Sequence, residues 1–306
     1  MKPDTLSVKL LAVRPYSLGN SVILILIATA MAYAAGQFHN EQRLPAFLCL
    51  IFAVFMQCTA NLVNDLCDTL KGADRPDRLG PDRVVAKGLL THAQIKRGIA
   101  FYTILAVAAG LGVLFWARAN GTLLYGGWEL VAVGVLCIIF AFLYTAGPYA
   151  LAYNALGDLA VVLFFGLVPV TMTYYVITGD LTAEVVIASL ACGLVIDTML
   201  MLNNFRDLDQ DREAHKITLV VIFGKNFGKW GYLFLGVAAV VLCLVLIPMG
   251  HLWAGILPLV YLVAHFRTWR MMTRIDHGEE LNICLGKTAR NILMFGALFA
   301  MGILLG

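Results

Sequence analysis

The sequence predicts an all-α integral membrane protein, in which about nine transmembrane helices form a bundle with an intramembrane cavity that opens to the cytoplasmic side. Composition carries the first part of this prediction: 60% of the 306 residues are hydrophobic, only 13% are charged, and the mean hydropathy is +0.83. A soluble domain has about 25% charged residues. No linker or low-complexity segment divides the chain, so residues 1–306 are expected to form one membrane domain.

Nine apolar stretches account for the predicted helices, because each is near the ~20 residues that a helix needs to cross a bilayer. They cover roughly residues 17–36, 45–64, 96–117, 127–146, 155–178, 183–203, 230–249, 252–272 and 289–305. The last stretch is short, and only a few residues around Met249 and Gly250 separate the seventh from the eighth. The two longest polar loops, about 65–95 and 204–229, follow the second and the sixth stretch.

The distribution of Lys and Arg predicts how the bundle is oriented. If the N-terminus is cytoplasmic and the nine stretches alternate, all of the 22 Lys and Arg residues except Arg43 and Arg118 fall on the cytoplasmic side. Cytoplasmic loops of membrane proteins carry such an excess. We therefore expect a multi-pass protein of the cytoplasmic membrane, with its N-terminus and its two longest loops inside and its C-terminus outside.

Two clusters of Asp and Asn lie where the second and the sixth predicted helix end. They occur in NLVNDLCDTLKGAD and NNFRDLDQD, and their members are Asn61, Asn64, Asp65, Asp68 and Asp74, and Asn203, Asn204, Asp207, Asp209 and Asp211. Charged groups beside hydrocarbon are costly and usually mark functional sites. Under the predicted orientation both clusters face the cytoplasm, which indicates one shared site.

The spacing within each cluster points its oxygen atoms in one direction. Helical residues at i, i+3, i+4 and i+7 share a face, and this series contains Asn61, Asn64, Asp65 and Asp68, and likewise Asn203 or Asn204 with Asp207 and Asp211. Mg²⁺ prefers oxygen ligands and is usually held by one or two carboxylates together with substrate phosphates. One cluster alone would fit a solvated helix end equally well, whereas two on one face favour a divalent-metal and diphosphate site.

Basic residues follow the first cluster in KGADRPDRLGPDRVVAKG, namely Lys71, Arg75, Arg78, Arg83 and Lys87. The planar guanidinium of Arg suits phosphate because it can donate two parallel hydrogen bonds. Cytoplasmic loops are also basic for topological reasons alone. Arg78 and Arg83 are the favoured phosphate contacts, and Lys216, in the loop after the second cluster, is a candidate of the same kind.

Both acidic motifs, NxxxDxxD with a following Asp and NNxRDxxxD, resemble those of the UbiA superfamily of intramembrane aromatic prenyltransferases in order, in separation and in the nine-helix plan. Within this superfamily the chain is most similar to the 1,4-dihydroxy-2-naphthoate polyprenyltransferases, the MenA family. The similar stretches are RPYSL at 14–18, KGAD with RLGPDRVVAKGLL after the first motif, YTAGPYALAYNALGDLAVVLFFG at 144–166 and NNFRDLDQDREAHKITL at 203–219. His215 departs from the family pattern, because relatives commonly have Gly there, and so does ITLVVIFG after Lys216.

The resemblance implies transfer of a polyprenyl group from polyprenyl diphosphate to 1,4-dihydroxy-2-naphthoate with loss of the carboxyl group, a step of menaquinone biosynthesis, with Mg²⁺ as cofactor. The implied metal ligands are Asn61, Asp65, Asp68, Asn204, Asp207 and Asp211, and the implied substrate contacts are Asn61, Asn64, Lys71, Arg78, Arg83, Asn154, Asn204, Arg206 and Lys216. The four aspartates of the ligand set are expected to be catalytic, with Tyr144 beside the allylic cation and Asp158 at the acceptor hydroxyl or acting as a base. Alternatively, Tyr144 is a membrane-interface residue and Asp158 a helix-entry acid.

Three alternatives stay open at this stage. Another aromatic acceptor, such as 4-hydroxybenzoate, homogentisate, haem or a chlorophyllide, would use the same fold. A secondary transporter would also place acids among membrane helices, although the acids here cluster at one face rather than at the midplane. Asp197, deep in the sixth helix, either forms a hydrogen bond within the bundle or lines the cavity. The expected partners are the two substrates and the lipid bilayer, and no feature indicates nucleic-acid binding.

Overall fold

The computed structural model of the protein describes residue 8 and residues 11–74, 78–121 and 123–306, without the side chain of Tyr16. Three of the basic residues expected on the cytoplasmic side, Lys2, Lys9 and Arg75, lie outside this part of the chain. The described residues are predominantly helical and include no β-strand, so the all-α prediction is confirmed.

The described residues from Pro15 onward form thirteen α-helices, which are numbered here in chain order. Their bounds are Pro15–Ala34 (α1), Arg43–Leu70 (α2), His92–Ala119 (α3), Trp128–Leu143 (α4), Gly157–Val162 (α5), Val168–Thr178 (α6), Ala183–Arg206 (α7), Leu208–Glu213 (α8), Leu219–Phe223 (α9), Lys225–Val245 (α10), Leu252–Ile256 (α11), Leu259–Ile275 (α12) and Leu281–Leu304 (α13). A π-helical turn, Leu163–Leu167, joins α5 to α6. Short 3₁₀ turns cover Asn40–Gln42, Leu151–Tyr153 and Ile247–Met249.

Seven helical segments in the described part of the chain are long and apolar enough to cross a membrane. They are Ser17–Ala34, Asn40–Leu70, His92–Ala119, Gly157–Thr178, Ala183–Arg206, Lys225–Met249 and Leu281–Leu304. Each coincides with one of the nine predicted stretches. The stretch predicted at 127–146 corresponds to α4, with 16 residues. The stretch predicted at 252–272 is divided between α11, with 5 residues, and α12, with 17. The structure therefore supports a multi-pass membrane protein and gives seven helices of spanning length.

The helices that carry the acidic clusters extend beyond their predicted ends. α2 continues to Leu70 and α7 to Arg206, which keeps residues 61–68 of the first motif and residues 203–206 of the second in helical register. Asp207 ends α7, and α8 begins at the next residue. A hydrogen bond from the Asp211 N–H to the Asp207 carbonyl oxygen, at 2.7 Å, holds the short helix against this junction. The second motif is thus a helix end followed by one further turn and a half, not a continuous helix.

The π-helical turn between α5 and α6 lies where two backbones meet. Within it, Phe165 has φ −116° and ψ 18°, and Gly166 packs so closely on Gly193 of α7 that a Cβ would collide with the opposite backbone. π-turns of this kind are frequent at functional sites. The break redirects the chain so that Phe164 and Phe165 line the interior cavity of the bundle. Phe164 stacks there on Phe140 of α4, with ring centroids 4.0 Å apart.

The main apolar core lies among four of the long helices. It joins α1, α7, α10 and α13 through buried residues such as Leu24, Val195, Cys243 and Phe299. A smaller core holds the motif-bearing end of α7 against α10 and α13, with Phe205 and Tyr232 fully buried in it. Packing on this side fixes the direction in which the second acidic cluster points.

Candidate active site

A cavity of about 730 Å³ lies within the bundle and has a polar end and an apolar end. Its polar end is formed where α2 and α7 finish, and side chains from both acidic clusters line it, namely Asn61, Asn64, Asp68, Asp74, Asn203, Asn204, Asp207 and Asp211. Its apolar end lies among α3, α4 and α6, with residues such as Leu111, Val131 and Val176 in its wall. The two motifs, about 140 residues apart in the sequence, therefore share one chamber, as the sequence analysis predicted.

Asn61 and Asp68 of the first cluster are held in place by other elements. The Asn61 amide donates to the Val13 carbonyl oxygen and to the Ser17 hydroxyl, both at 2.9 Å, and its oxygen accepts from the Gln57 amide at 3.2 Å. The Tyr153 hydroxyl donates to the Asp68 carboxylate at 2.8 Å. Asn61 thus ties α2 to the start of α1, and Asp68 is oriented from the segment before α5.

Asp65 points away from the cavity that its neighbour Asp68 lines. Its side chain is 2% exposed and hydrogen-bonds the Val84 backbone in the loop after the first motif. Its Oδ1 has no hydrogen-bond partner among the described residues. The predicted common face of the first cluster is therefore split, with Asn61, Asn64 and Asp68 in the cavity wall and Asp65 behind it.

Asp207 of the second cluster is paired with the residue before it. The Arg206 guanidinium donates to both Asp207 carboxylate oxygens at 2.6 Å and to the Asn282 side-chain oxygen at 2.9 Å. Burial alone would raise the pKa of Asp207, but the hydrogen bonds and charge of Arg206, with help from Arg78, hold that pKa below its ordinary value. Asp207 is therefore an ionised carboxylate at the polar end of the cavity.

Lys216 connects the two clusters electrostatically. Its ammonium lies 3.1 Å from the Asp211 carboxylate. Burial would lower the pKa of Lys216, but the carboxylates of Asp211, Asp68 and Asp207 outweigh it and raise that pKa. Burial raises the pKa of Asp211 to about 6, against the opposing effect of Lys216. A permanent cation thus sits between carboxylates that come from both motifs.

The backbone conformation at His215 bears on the difference from relatives, which commonly have Gly at this position. His215 has φ 53°, in the left-handed region that Gly adopts without steric cost and other residues enter with some strain. This turn brings the Lys216 N–H to the Asp211 carbonyl oxygen at 2.8 Å. The Gly expected from the family pattern would suit the same conformation, so the substitution leaves the position of Lys216 intact.

The loop after the first motif folds back over the polar end. Asp74 holds the two predicted phosphate-binding arginines, with Arg78 at 2.8 Å and Arg83 at 3.0 Å from its carboxylate. Arg78 also lies 3.9 Å from Asp207. Burial, together with the charge of Arg83, lowers the pKa of Arg78, although a guanidinium stays protonated in proteins. Asp74 therefore holds two cationic side chains at the polar end of the cavity.

Two contacts fix that loop to the opposite side of the bundle. Asn282 at the start of α13 donates to the Leu79 carbonyl oxygen at 2.7 Å, and the Leu79 N–H donates to the Gln210 side chain at 3.3 Å. Asn282 was missed by the sequence analysis, because a lone Asn far from either motif carries no pattern. Its contacts with Leu79 and Arg206 make it the residue that joins the two halves of the site.

Other predicted site residues fall into two groups. Tyr144 and Asp158 line the cavity, and Oδ1 of Asp158 is buried without a hydrogen-bond partner among the described residues. Lys71 and Asn154 do not line it: the Lys71 ammonium donates to the Gly147 carbonyl oxygen at 3.0 Å and lies 4.0 Å from the Tyr153 ring centroid, and the Asn154 amide donates to Ala150 at 2.7 Å. Lys71 and Asn154 therefore stabilise the segment that carries Tyr153.

Two further acids of the sequence analysis lie outside the cavity wall. Asp209 is 90% exposed and pairs only loosely with Arg212, at 3.5 Å. Asp197 is 2% exposed within α7, interacts electrostatically with Asp158 and has an Oδ1 atom without a hydrogen-bond partner in the described part of the chain. Among the described residues, the structure shows neither a side-chain hydrogen bond of Asp197 nor Asp197 in the cavity wall.

The arrangement of carboxylates suits an ion that is shared with a substrate. In the described part of the chain, no three His, Cys, Asp or Glu side chains converge on one point as a complete metal site. A buried carboxylate oxygen without a hydrogen-bond partner among the described residues nevertheless remains in the cavity wall, Oδ2 of Asp211, and the carboxylates of Asp68 and Asp207 line the same polar end. Mg²⁺ takes few protein carboxylates and completes its shell with water and phosphate oxygens, so this donor set fits Mg²⁺ bound together with a diphosphate.

Comparison with known proteins identifies the family. The model of the UbiA prenyltransferase family matches residues 22–295, which is most of the chain. The chain belongs to this family. The family resemblance noted in the sequence is therefore confirmed, and the polar end described above is the region in which this UbiA protein carries both of its acidic motifs.

Two bacterial relatives of this UbiA protein have the same name. It is 34% identical over 299 residues to the 1,4-dihydroxy-2-naphthoate octaprenyltransferase of Escherichia coli, covering 96% of this chain and 94% of that protein. It is 28% identical over 294 residues to the enzyme of the same name from Haemophilus influenzae, with the same two coverages. The similarity thus extends over nearly the full length of both relatives.

Solved structures support the fold of this UbiA protein. A UbiA homolog from Archaeoglobus fulgidus, bound to GPP and Mg²⁺, has a TM-score of 0.62 at 15% identity and covers 98% of this chain and all of that one, 100%. A digeranylgeranylglyceryl phosphate synthase has a TM-score of 0.61 at 20% identity, with coverages of 98% and 99%. At these identities the likeness concerns the fold.

Proposed function

We propose that the protein transfers a polyprenyl group from polyprenyl diphosphate to 1,4-dihydroxy-2-naphthoate, with Mg²⁺ as cofactor and loss of the carboxyl group, in menaquinone biosynthesis. The observation that carries the proposal is the meeting of both acidic motifs at the polar end of a cavity whose other end is apolar. Such a chamber suits a substrate with a charged head and a long hydrocarbon tail. The names of the relatives supply the acceptor.

The diphosphate would lie at the polar end, among cations that are already oriented. Arg78 and Arg83 are held by Asp74, and Lys216 is held by Asp211, so little side-chain entropy is lost when they bind phosphate. Asp68, Asp207 and Asp211 would hold Mg²⁺ with Asn61 and Asn204, and Asp65 is a fourth carboxylate ligand if its side chain turns. When bound, Mg²⁺ neutralises charge that develops on the leaving diphosphate.

The cavity wall would protect and direct the reacting carbon. Cleavage of the allylic C–O bond leaves its electron pair on the diphosphate, and Tyr144 lines the cavity where its ring can face the resulting cation. Apolar walls exclude water that would otherwise capture this cation. Asn64 and Asn204, at the border of the polar end, would contact the head of the substrate.

Asp158 is the residue proposed to handle the acceptor proton. As the ring carbon that bears the carboxylate forms the new C–C bond, the acceptor hydroxyl becomes a carbonyl and its proton passes to the unpartnered carboxylate oxygen of Asp158. Loss of CO₂ returns the electron pair of the broken C–C bond to the ring. The proton then goes back to the oxygen, so the step balances without another acid or base.

We also propose how the chain sits in the membrane. α4 would cross in addition to the seven longer helices because its residues are apolar. α12 would cross because it connects α10 to α13, and its three arginines, Arg267, Arg270 and Arg274, lie in its second half, which would then be at the cytoplasmic side. With nine crossings, the N-terminus and the polar end of the cavity face the cytoplasm and the C-terminus lies outside, in the orientation that the Lys and Arg distribution favours. The whole chain, 1–306, would act as one unit in the cytoplasmic membrane.

The first experiment is a transfer assay with purified protein in detergent. Octaprenyl diphosphate is combined with 1,4-dihydroxy-2-naphthoate, and in parallel with 4-hydroxybenzoate, with and without Mg²⁺. We expect a Mg²⁺-dependent, decarboxylated prenyl product from the naphthoate alone. Product only with 4-hydroxybenzoate would move the protein to another pathway, and flux of a solute in liposomes without any covalent product would favour a transporter.

Acid is expected to weaken Mg²⁺ binding. The pKa of Asp211 is raised to about 6, so its carboxylate carries a proton below that pH, whereas an ordinary Asp would still be ionised. Because a carboxylate must be deprotonated to bind a metal, we expect the apparent Mg²⁺ affinity to fall by about tenfold for each pH unit below 6. Mg²⁺ titrations of transfer at pH values on both sides of 6 measure this. Retention of the same pH dependence in Asp211→Asn would show that another group is responsible.

A further inference from the structure

The face of α4 that lines the apolar end of the cavity includes one position without a side chain. Leu136, Ile139 and Phe142 of this helix are exposed, do not line the cavity and form one stripe that faces away from the bundle. Its less exposed residues line the cavity on the other side, namely Leu130, Val131, Gly134, Cys137, Ile138 and Ala141. Gly134 lies in the middle of this inner stripe, at the one position there without a side chain.

Gly134 differs from the glycines that serve helix packing. At Gly110, Gly193 and Gly296, a Cβ would meet a neighbouring helix within 3.4 Å or less, so absence of a side chain allows close contact. At Gly134 a Cβ meets nothing within 4 Å, although the position has an ordinary helical φ. Among the described glycines inside helices, only Gly286 shares this property, and Gly286 lines the cavity beside Asn282 at the polar end.

Gly134 is also well separated from the reacting end of the cavity. It precedes Tyr144 by ten residues along a continuous helical stretch, which corresponds to about 15 Å at 1.5 Å per residue. Beyond Gly134, the cavity wall continues to Leu130, near the start of α4, and to Leu114, near the end of α3. The cavity is thus longer than a short prenyl group, and Gly134 lies along the part that only a long group would fill.

We propose that Gly134 determines which prenyl tails the protein accepts. Because it has no side chain, it leaves the apolar end of the cavity open for long chains. The proposal rests on the proposed function, because it assumes that the tail of the prenyl diphosphate occupies the apolar end of the cavity. A geranyl tail ends before Gly134, whereas an octaprenyl tail must pass it. A large side chain at this position would therefore exclude long tails and spare short ones.

The test compares tails of different length in variants of graded size. Transfer rates are measured for geranyl, geranylgeranyl and octaprenyl diphosphate with Gly134→Ala, Gly134→Leu and Gly134→Phe. We expect the ratio of octaprenyl to geranyl transfer to fall from Ala to Leu to Phe, by about tenfold or more at Phe, which is the order of discrimination that a pocket gains from steric exclusion. Ile139→Phe is the matched control, because it adds an aromatic ring to the same helix on the outward stripe.

Three outcomes decide the proposal. An equal loss with every tail in Gly134→Phe, with the ratio unchanged, would overturn it, as would undiminished octaprenyl transfer in a stable variant. A fall of the ratio in Ile139→Phe as large as in Gly134→Phe would also overturn it, because the effect would then come from α4 as a whole. Failure of the unchanged protein to transfer any tail to an aromatic acceptor would refute the proposed function instead, before any variant is compared. If Gly134→Phe does not fold, the Ala and Leu ratios decide.

Discussion

Replacement of Asp68 by Asn is expected to reduce prenyl transfer by roughly a hundredfold or more, the effect of removing one preorganised electrostatic group from an active site. The substitution keeps the shape of the side chain and an oxygen that can accept the 2.8 Å hydrogen bond from Tyr153. It removes only the negative charge that would hold Mg²⁺ on the diphosphate. The loss should therefore appear in the rate and in the Mg²⁺ dependence, without displacement of the surrounding helices.

Thermal unfolding in detergent separates this effect from loss of structure. Because a buried charge is costly and Asn is neutral, Asp68→Asn should unfold at a temperature no lower than that of the unchanged protein. Asp209→Asn is the matched control, since Asp209 belongs to the second motif but is 90% exposed and lies outside the cavity wall. It should keep full activity. Near-normal transfer by Asp68→Asn would show that the Asp68 carboxylate is not a metal ligand.

Helical spacing was sufficient to predict the first cluster but not to orient every member of it. At 100° per residue, Asn64 and Asp65 lie at the two edges of an arc about 100° wide. Asn64 and Asp68, toward one edge of this arc, face the cavity, whereas Asp65, at the other edge, faces the loop around Val84. Spacing defines the arc, whereas the position of a loop some twenty residues later decides which part of it faces substrate.

Lys216 and Arg78, which interact with carboxylates of both motifs, were predicted from the sequence, whereas Asn282 had no signal there. Asn282 contacts both the loop at Leu79 and Arg206, and its importance follows only from the fold that brings them together. Composition and apolar stretches predicted the helical class, because membrane helices satisfy their own backbone groups. Length separated α4 and α12 from the seven longer helices. The stretch predicted for α4 includes flanking turns, and the stretch predicted at 252–272 is divided at Leu257 and Pro258 into α11 and α12.

Removal of Arg206 is expected to be the most destabilising change at the site. Its side chain is 1% exposed, and it gives Asp207 two hydrogen bonds of 2.6 Å and Asn282 a third. Arg206→Met leaves the Asp207 carboxylate buried without its partner, which costs about 3–5 kcal/mol in comparable buried pairs. The variant also frees Asn282, so the loop at Leu79 loses part of its attachment to α13.

A double variant distinguishes the lost charge partner from lost packing. Arg206→Met with Asp207→Leu removes both charges, and replacing a buried ion pair by apolar groups is often neutral. We therefore expect the double variant to recover much of the free energy of unfolding that the single variant loses, while transfer stays abolished because a ligand is missing. Equal destabilisation of both variants would assign the loss to packing. Recovery would mean that Arg206 keeps Asp207 ionised and in place until the metal and the diphosphate arrive, which explains why the chain retains a costly buried pair inside its active site.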